Sequence, residues 1–277
     1  MKPLKSLTTL HLAFSKVTDA GLGKLRGLTN LASLHLGNTE IGDAGLKELV
    51  SLPSLTVLYV NNTRVTDDGL RAVMKLNNLV TLDLGDDKIT DVGLMHLKRL
   101  KKLTTLGLRN TKITSRGMSR LAAIASLKKL DVSGNEITDT GLEKLATISG
   151  LTDLELGGNA ITDAGLKGLE EMSNLTDLGL SSTAITDAGL VELKNLANLA
   201  TLNLYGTQVT DAGVKELTQL TNLSSLALSG PKITDDGLRQ MQGLKKLKSL
   251  RLFETRATRS GLAELKQALP RLTIELK

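Results

Sequence analysis

The chain has 277 residues, a formal net charge of +6 and no cysteine. Without cysteine there are no disulfides, thiolate metal sites or thiol nucleophiles, and a charge this mild for the length points to a solvated basic surface rather than a nucleic-acid footprint. The N-terminal segment MKPLKSLTTL lacks a signal-type apolar stretch, and no run of about 18 apolar residues exists to span a membrane. A cytoplasmic location away from membranes is therefore expected. Only four aromatic side chains occur among tyrosine, phenylalanine and tryptophan, namely Phe14, Tyr59, Tyr205 and Phe253, so the interior must be filled by Leu, Ile and Val.

In chain order a single element pair recurs. Gly21, Gly45, Gly69, Gly93 and their successors to Gly261 stand 24 residues apart, eleven times and without insertion. A fixed period of this size means one supersecondary unit stacked on copies of itself, each touching only its neighbours. The expected organisation is one domain over residues 1–277, with eleven repeats from Leu7 and a closing strand at 273–276. Counting from Leu7, Leu31 and so on, position 4 is always leucine, and position 6 is Leu or Val, as in Leu12, Val60 and Val132. Alternation over positions 3 to 7 predicts a short strand with one buried face, paired in parallel with its neighbours about 4.8 Å away.

Position 9 is mostly Thr (Thr39, Thr63, Thr111, Thr183, Thr207) or Asn (Asn135, Asn159). Such side chains bond to nearby backbone and are expected to satisfy the amides of the turn after the strand. Position 11 is Ile or Val in ten units and carries the chain across the core. Thr-Asp at positions 12 and 13, as in Thr162-Asp163, predicts a helix start capped by either residue, with the carboxylate at the positive end of the dipole. Apolar residues at 16, 19 and 22, for example Leu190, Leu193 and Leu196, form one stripe of a short helix. Glycine at position 15 is a poor helix former. Its recurrence predicts that a Cβ there would strike the adjacent unit.

The pattern Leu-x-x-Leu-x-Leu-x-x-Thr/Asn-x-Ile, matched from residue 7 to 276, resembles the leucine-rich repeat family. The TDAGL segment is similar to its bacterial 24-residue, ribonuclease-inhibitor-like variety. The resemblance implies an α/β solenoid, a horseshoe with a parallel β-sheet on the concave face and short helices on the convex face. It also implies a non-enzymatic scaffold for protein recognition. Spacing agrees with curvature, since strands stack at about 4.8 Å whereas helices need about 8–10 Å. Family members often carry dedicated end caps. Here six residues precede the first unit, with Leu4 the one evident plug, while Ile274 and Leu276 keep the strand phase. The N-terminal edge is expected to fray or to pair, giving a monomer or a weak dimer.

Strand positions 3, 5 and 7 are expected on the concave face, with 8 and 10 at its rim. All four aromatics fall on these positions: Tyr59 at 5, Tyr205 and Phe253 at 7, and Phe14 at 8. Exposed aromatics make good binding anchors. Asp131, Asp153, Glu155 and Asp177 put acid on successive strands, with Lys129 as a partial offset. Arg109 and Lys112 flank them on one side and Arg251 and Arg256 on the other. Like charges so close repel, so the arrangement fits a partner with a basic segment, whose complementary field would speed encounter.

Other chemistry has less support. His11 and His35 share position 5 with Tyr59, with no carboxylate expected near in the row, and read as a surface ladder rather than a metal site. No histidine stands beside an evident acid and nucleophile. Neither a P-loop nor a GxGxxG turn occurs. The basic run at 98–102 lacks aromatics on which bases would stack. No cofactor, metal or nucleic acid is therefore expected. The competing expectation is an engineered, consensus-like or trimmed array with no evolved ligand. It is favoured by the unbroken period. It is opposed by irregular units, such as Asp87 and Pro231 in place of Thr and Ser115-Arg116-Gly117-Met118 in place of TDAGL.

Overall fold

The computed structural model describes residues 4–277. The chain forms two compact units, one ending at Glu136 and the other spanning Ile137–Lys277. The first holds β1 (Thr9–His11), β2 (Ser33–His35), β3 (Val57–Tyr59), β4 (Thr81–Asp83), β5 (Thr105–Gly107) and β6 (Lys129–Asp131). These pair in parallel in chain order, each residue opposite the one 24 positions on, as in Leu34 with Leu58. The second holds β7 (Asp153–Glu155), β8 (Asp177–Gly179), β9 (Thr201–Asn203), β10 (Ser225–Ser229), β11 (Ser249–Phe253) and β12 (Thr273–Leu276), paired in the same way. Short helices alternate with the strands, from the four residues of Asp163–Leu166 to the ten of Arg259–Ala268.

The core is the leucine column the alternation predicts. Leu58 of β3, Val60 just after it, Val65 behind the turn, and Leu70 and Val73 of the following helix are all fully buried. Leu190, Leu193 and Leu196 repeat the helical stripe in the second unit. With each side chain touching only its own and the adjacent repeat, stability accumulates repeat by repeat.

Position 8 has a backbone demand that the residue types only hint at. Phe14, Asn38, Asn62, Asp86, Asn110, Ser182 and Glu254 all adopt φ between 49° and 61°, and the glycines at the same position also have positive φ. Asn, Asp and Gly tolerate this left-handed conformation; a bulky side chain is strained in it. Phe14 is such a case, with φ 60° and a side chain 83% exposed. Phe14→Gly is expected to stabilise the fold by about 1 kcal/mol, read as a higher denaturation midpoint. A lower midpoint would mean that Phe14 makes contacts worth more than its strain.

The expectation for the turn holds for the position-9 asparagines and is corrected for most of the threonines. Most position-9 threonines serve carbonyls: Thr39, Thr111, Thr183 and Thr207 donate their hydroxyls to the carbonyls of Leu36, Leu108, Leu180 and Leu204 at 2.6–2.9 Å, while Thr63 Oγ1 accepts from the Val65 amide at 3.3 Å. The amides are served by acids and amides at the same position one unit later. Asn135 Oδ1 accepts from the Thr111 amide, and Asn159 Oδ1 accepts from the Ile137 amide.

At the helix start the two residues divide their work. Thr66, Thr90, Thr162, Thr186, Thr210 and Thr234 accept a hydrogen bond from the amide two residues on, which is the cap. The aspartate points instead to the next repeat. Asp43 Oδ1 accepts from the Thr66 amide at 2.8 Å and Oδ2 from its hydroxyl at 2.7 Å. Asp67 and Asp91 repeat the clamp in the first unit, and Asp139 through Asp235 repeat it in the second.

Candidate functional site

The strand faces carry the residues that break the repetition. In the first unit, His11, His35, Tyr59, Asp83, Gly107 and Asp131 form one row in register across β1 to β6. The His11 and His35 rings lie 4.0 Å apart, and Tyr59 stacks on His35 at 4.6 Å with planes 16° apart. Asp83 stands directly beside Tyr59, so the row does contain a carboxylate close by, contrary to the sequence expectation. Burial pushes the Asp83 carboxyl above its ordinary range; the Gly85 amide opposes this, while Asp131 and Asp86 add to it. Asp131 itself is held by the Ser133 amide and hydroxyl. Arg109, one strand along at position 7, is exposed.

A second correction concerns nucleophiles. Ser33 Oγ lies 3.0 Å from His35 Nε2, a serine–histidine pair that sequence reasoning overlooked because both residues sit on one strand. Burial, then the charge of His11, lowers the His35 pKa. Among the described residues no acid bonds to the other ring nitrogen, so the pair lacks the group that would orient and stabilise an imidazolium.

In the second unit, Asp153 and Asp177 face each other across β7 and β8. Each carboxylate accepts a hydroxyl from the preceding threonine, Thr152 or Thr176. Glu155 extends over Gly179, where a Cβ would collide with its carboxylate. Three further expected residues, Tyr205, Arg251 and Phe253, meet in one pocket of about 200 Å³, completed by Ser181, Asn203 and Ala227. The Tyr205 and Phe253 rings are 4.8 Å apart and edge-to-face at 70°, a favourable aromatic geometry. Asn203, Ala227 and Arg251 are in register across β9, β10 and β11. The small, buried Ala227 leaves the space that the aromatic pair borders.

Ser181 and Asn203 were missed as lining residues, although the repeat count places Ser181 at position 7 and Asn203 at position 5. Lys112 and Arg256 lie on the chain beyond the strands, both exposed.

The sequence matches the leucine rich repeat family over residues 5–65, 53–113, 77–137 and 125–185. Among solved structures, an internalin (inlF) of Listeria monocytogenes is 26% identical, with a TM-score of 0.68 over 98% of this chain and 87% of that one. Internalin C2 from the same organism is 31% identical, with a TM-score of 0.57 over 77% of this chain and 84% of that one. A TDR receptor shares the fold alone, at 18% identity and a TM-score of 0.64, with 97% of this chain covering 46% of that one. A search of curated proteins found no match. With its parallel strands, its 24-residue register and a family match over most of its length, the chain belongs to the leucine-rich repeat family, and its fold is that family's solenoid.

Proposed function

We propose that this protein is a non-enzymatic scaffold that recognises a protein partner through the face formed by strand positions 3, 5 and 7, the concave face of the solenoid. Family membership supports the general role of interaction scaffold. The observation that carries the finer reading is the meeting of Tyr205, Arg251 and Phe253 in one pocket on that face. Repetition alone would fill position 7 with small residues, as it does at Ser133, Ser181 and Ser229. Aromatic and arginine side chains are the types that anchor interfaces. Asp153, Glu155 and Asp177 lie on β7 and β8 of the same unit, and a basic segment of the partner is expected to lie against them. Tyr59, Arg109 and Asp131 offer a further surface in the first unit.

The test is a partner captured from a bacterial lysate, identified by mass spectrometry and then titrated in purified form. Tyr205→Ala is expected to weaken binding by about tenfold or more, the loss of one anchor. The pair Asp153→Lys with Glu155→Lys is expected to slow association most at low salt. A partner whose affinity responds to neither change overturns the assignment to this face. Capture of nothing favours an array without an evolved ligand.

A further inference from the structure

The pocket over β9–β11 has a chemistry more specific than a protein-binding surface needs. Its polar side holds three groups able to donate: the Arg251 guanidinium, the Ser181 hydroxyl and the side-chain amide of Asn203. Asn203 Oδ1 is already committed, accepting from the Tyr205 amide at 3.1 Å, which leaves its NH₂ as the free end. Arg251 has no ion pair or hydrogen bond among the described residues. The carboxylate opposite it in register, Glu275, is paired with Lys277 at 3.0 Å. The apolar side is the Tyr205–Phe253 edge-to-face pair over Ala227. A half-buried arginine bonded to no carboxylate, flanked by neutral donors, matches an anionic, planar acceptor, because its fork binds carboxylate oxygens two at a time.

We infer that this pocket captures the C-terminal residue of a partner chain, its carboxylate on Arg251 and its large apolar side chain against Tyr205 and Phe253. The inference rests on the reading of this face as a binding surface and adds the ligand's chemistry. Two observations favour a chain terminus over an internal acidic residue. First, the pocket is small, about 200 Å³, and a terminal residue carries both its carboxylate and its side chain on one Cα. An internal glutamate would need a second residue to supply the apolar group, and in an extended chain adjacent side chains point to opposite sides. Second, β7 and β8 carry Asp153, Glu155 and Asp177, a field that repels acidic segments. It favours a tail that is basic upstream of its end. β8 lies three strands from β11, roughly 14 Å at about 4.8 Å per strand. That distance places the basic residue about four positions before the C-terminus of an extended tail.

Three probes separate the possibilities on the full chain: N-acetyl-phenylalanine, which mimics a chain end; N-acetyl-phenylalaninamide, which mimics the same residue within a chain; and N-acetyl-glutamate amide, an internal acid. Each is titrated into ¹⁵N-labelled protein at millimolar concentration, following the amides of Asn203, Tyr205, Ala227, Arg251 and Phe253. The acid is expected to bind about fivefold more tightly than its amide, as one charge-assisted contact at a half-exposed site supplies. The glutamate probe is expected to leave these amides unshifted.

Arg251→Met keeps the stem and removes the charge, so it is expected to equalise acid and amide; Arg251→Lys is expected to retain part of the preference. Equal binding of acid and amide by the wild type overturns the inference, as does stronger binding of the glutamate probe or perturbation of other amides only. If a captured partner is lost on Tyr205→Ala while acid and amide bind equally, the terminal-carboxylate assignment fails and the scaffold reading stands. If no partner is captured but the acid binds in an Arg251-dependent way, the scaffold reading fails and the pocket assignment stands.

Discussion

Gly69→Ala is expected to destabilise the protein by about 2–3 kcal/mol, although alanine is the better helix former. Gly69 lies inside the helix Asp67–Val73 and is buried. On propensity alone the substitution would stabilise by up to about 1 kcal/mol. A Cβ at this position would lie 2.5 Å from Oδ1 of Asp43 in the preceding repeat and 2.9 Å from Cδ1 of Leu46. The carboxylate is a side-chain end, but it is not free to swing away. It holds the Thr66 amide and hydroxyl at 2.8 and 2.7 Å, and moving it gives up both bonds. A lost charged hydrogen bond costs about 1.5–3 kcal/mol, and local overpacking adds to it, so sterics outweigh propensity.

A double-mutant cycle isolates the cause. In an Asp43→Ala background the obstructing oxygen is gone and only the flexible Leu46 methyl remains closer than 3.0 Å, so Gly69→Ala is expected to cost much less than in the wild type. Denaturant midpoints of the four proteins measure this. Equal destabilisation in both backgrounds would sink the explanation, and a stabilised single variant would show that the neighbour yields at no cost.

The same pair of residues shows what the sequence could and could not reveal. The strands, the leucine column and the close approach at position 15 were legible, because each follows from spacing within one repeat. The object that Gly69 avoids was not. Asp43 looked like a cap because capping is the local use of an aspartate at a helix start. Its actual bonds cross to the next repeat, and a strictly periodic sequence gives no register for contacts between copies that are otherwise alike.

The site divided in the same way. Tyr205 and Phe253 stood out as rare residues at position 7, and the rings do touch across the intervening unit. Asp83 was passed over although its position in the row could be counted from the leucines. The Ser33–His35 contact was not legible either, since nothing in the sequence fixes the rotamers that bring Ser33 Oγ to His35 Nε2. Asn203 and Ser181 are ordinary polar residues whose role exists only once Ala227 leaves a space between strands.

Asp87→Asn is expected to stabilise the protein at neutral and higher pH, and to remove a dependence of stability on pH. Asp87 occupies position 9, where most other repeats have Thr or Asn, and its side chain is buried at 3% exposure. Oδ1 accepts from the Thr63 amide and hydroxyl at 2.7 and 3.0 Å, as Oδ1 of Asn135 does from Thr111. The other terminal atom separates the two cases. Asn135 Nδ2 donates to the carbonyls of Leu108, Val132 and Ser133, whereas Asp87 Oδ2 is buried without a partner. An ionised carboxylate in this slot would set an oxygen anion where its counterpart donates to carbonyls. A protonated one can donate as the amide does.

Burial accordingly pushes the Asp87 carboxyl up to about 7, against the opposing bonds from Thr63 and with help from the charges of Asp83 and Asp86. The folded state therefore holds a proton that the unfolded chain has released above pH 3.8. Stability from this group is fully present below pH 3.8, falls as pH rises, and is lost above about 7. At about 1.4 kcal/mol per pH unit, the interval is of the order of 4 kcal/mol at most. Asparagine has the donor at every pH. Asp87→Asn is thus expected to match the wild type near pH 4 and to exceed it by up to about 4 kcal/mol at pH 8, with the difference growing through the interval. Taking the difference between the two proteins cancels the titration of groups that do not interact with Asp87; Asp83 and Asp86, whose charges reach it, remain in the difference. Chemical denaturation at a series of pH values checks this. A difference that does not change with pH, or a variant less stable at pH 8, would show that Asp87 is folded as the carboxylate.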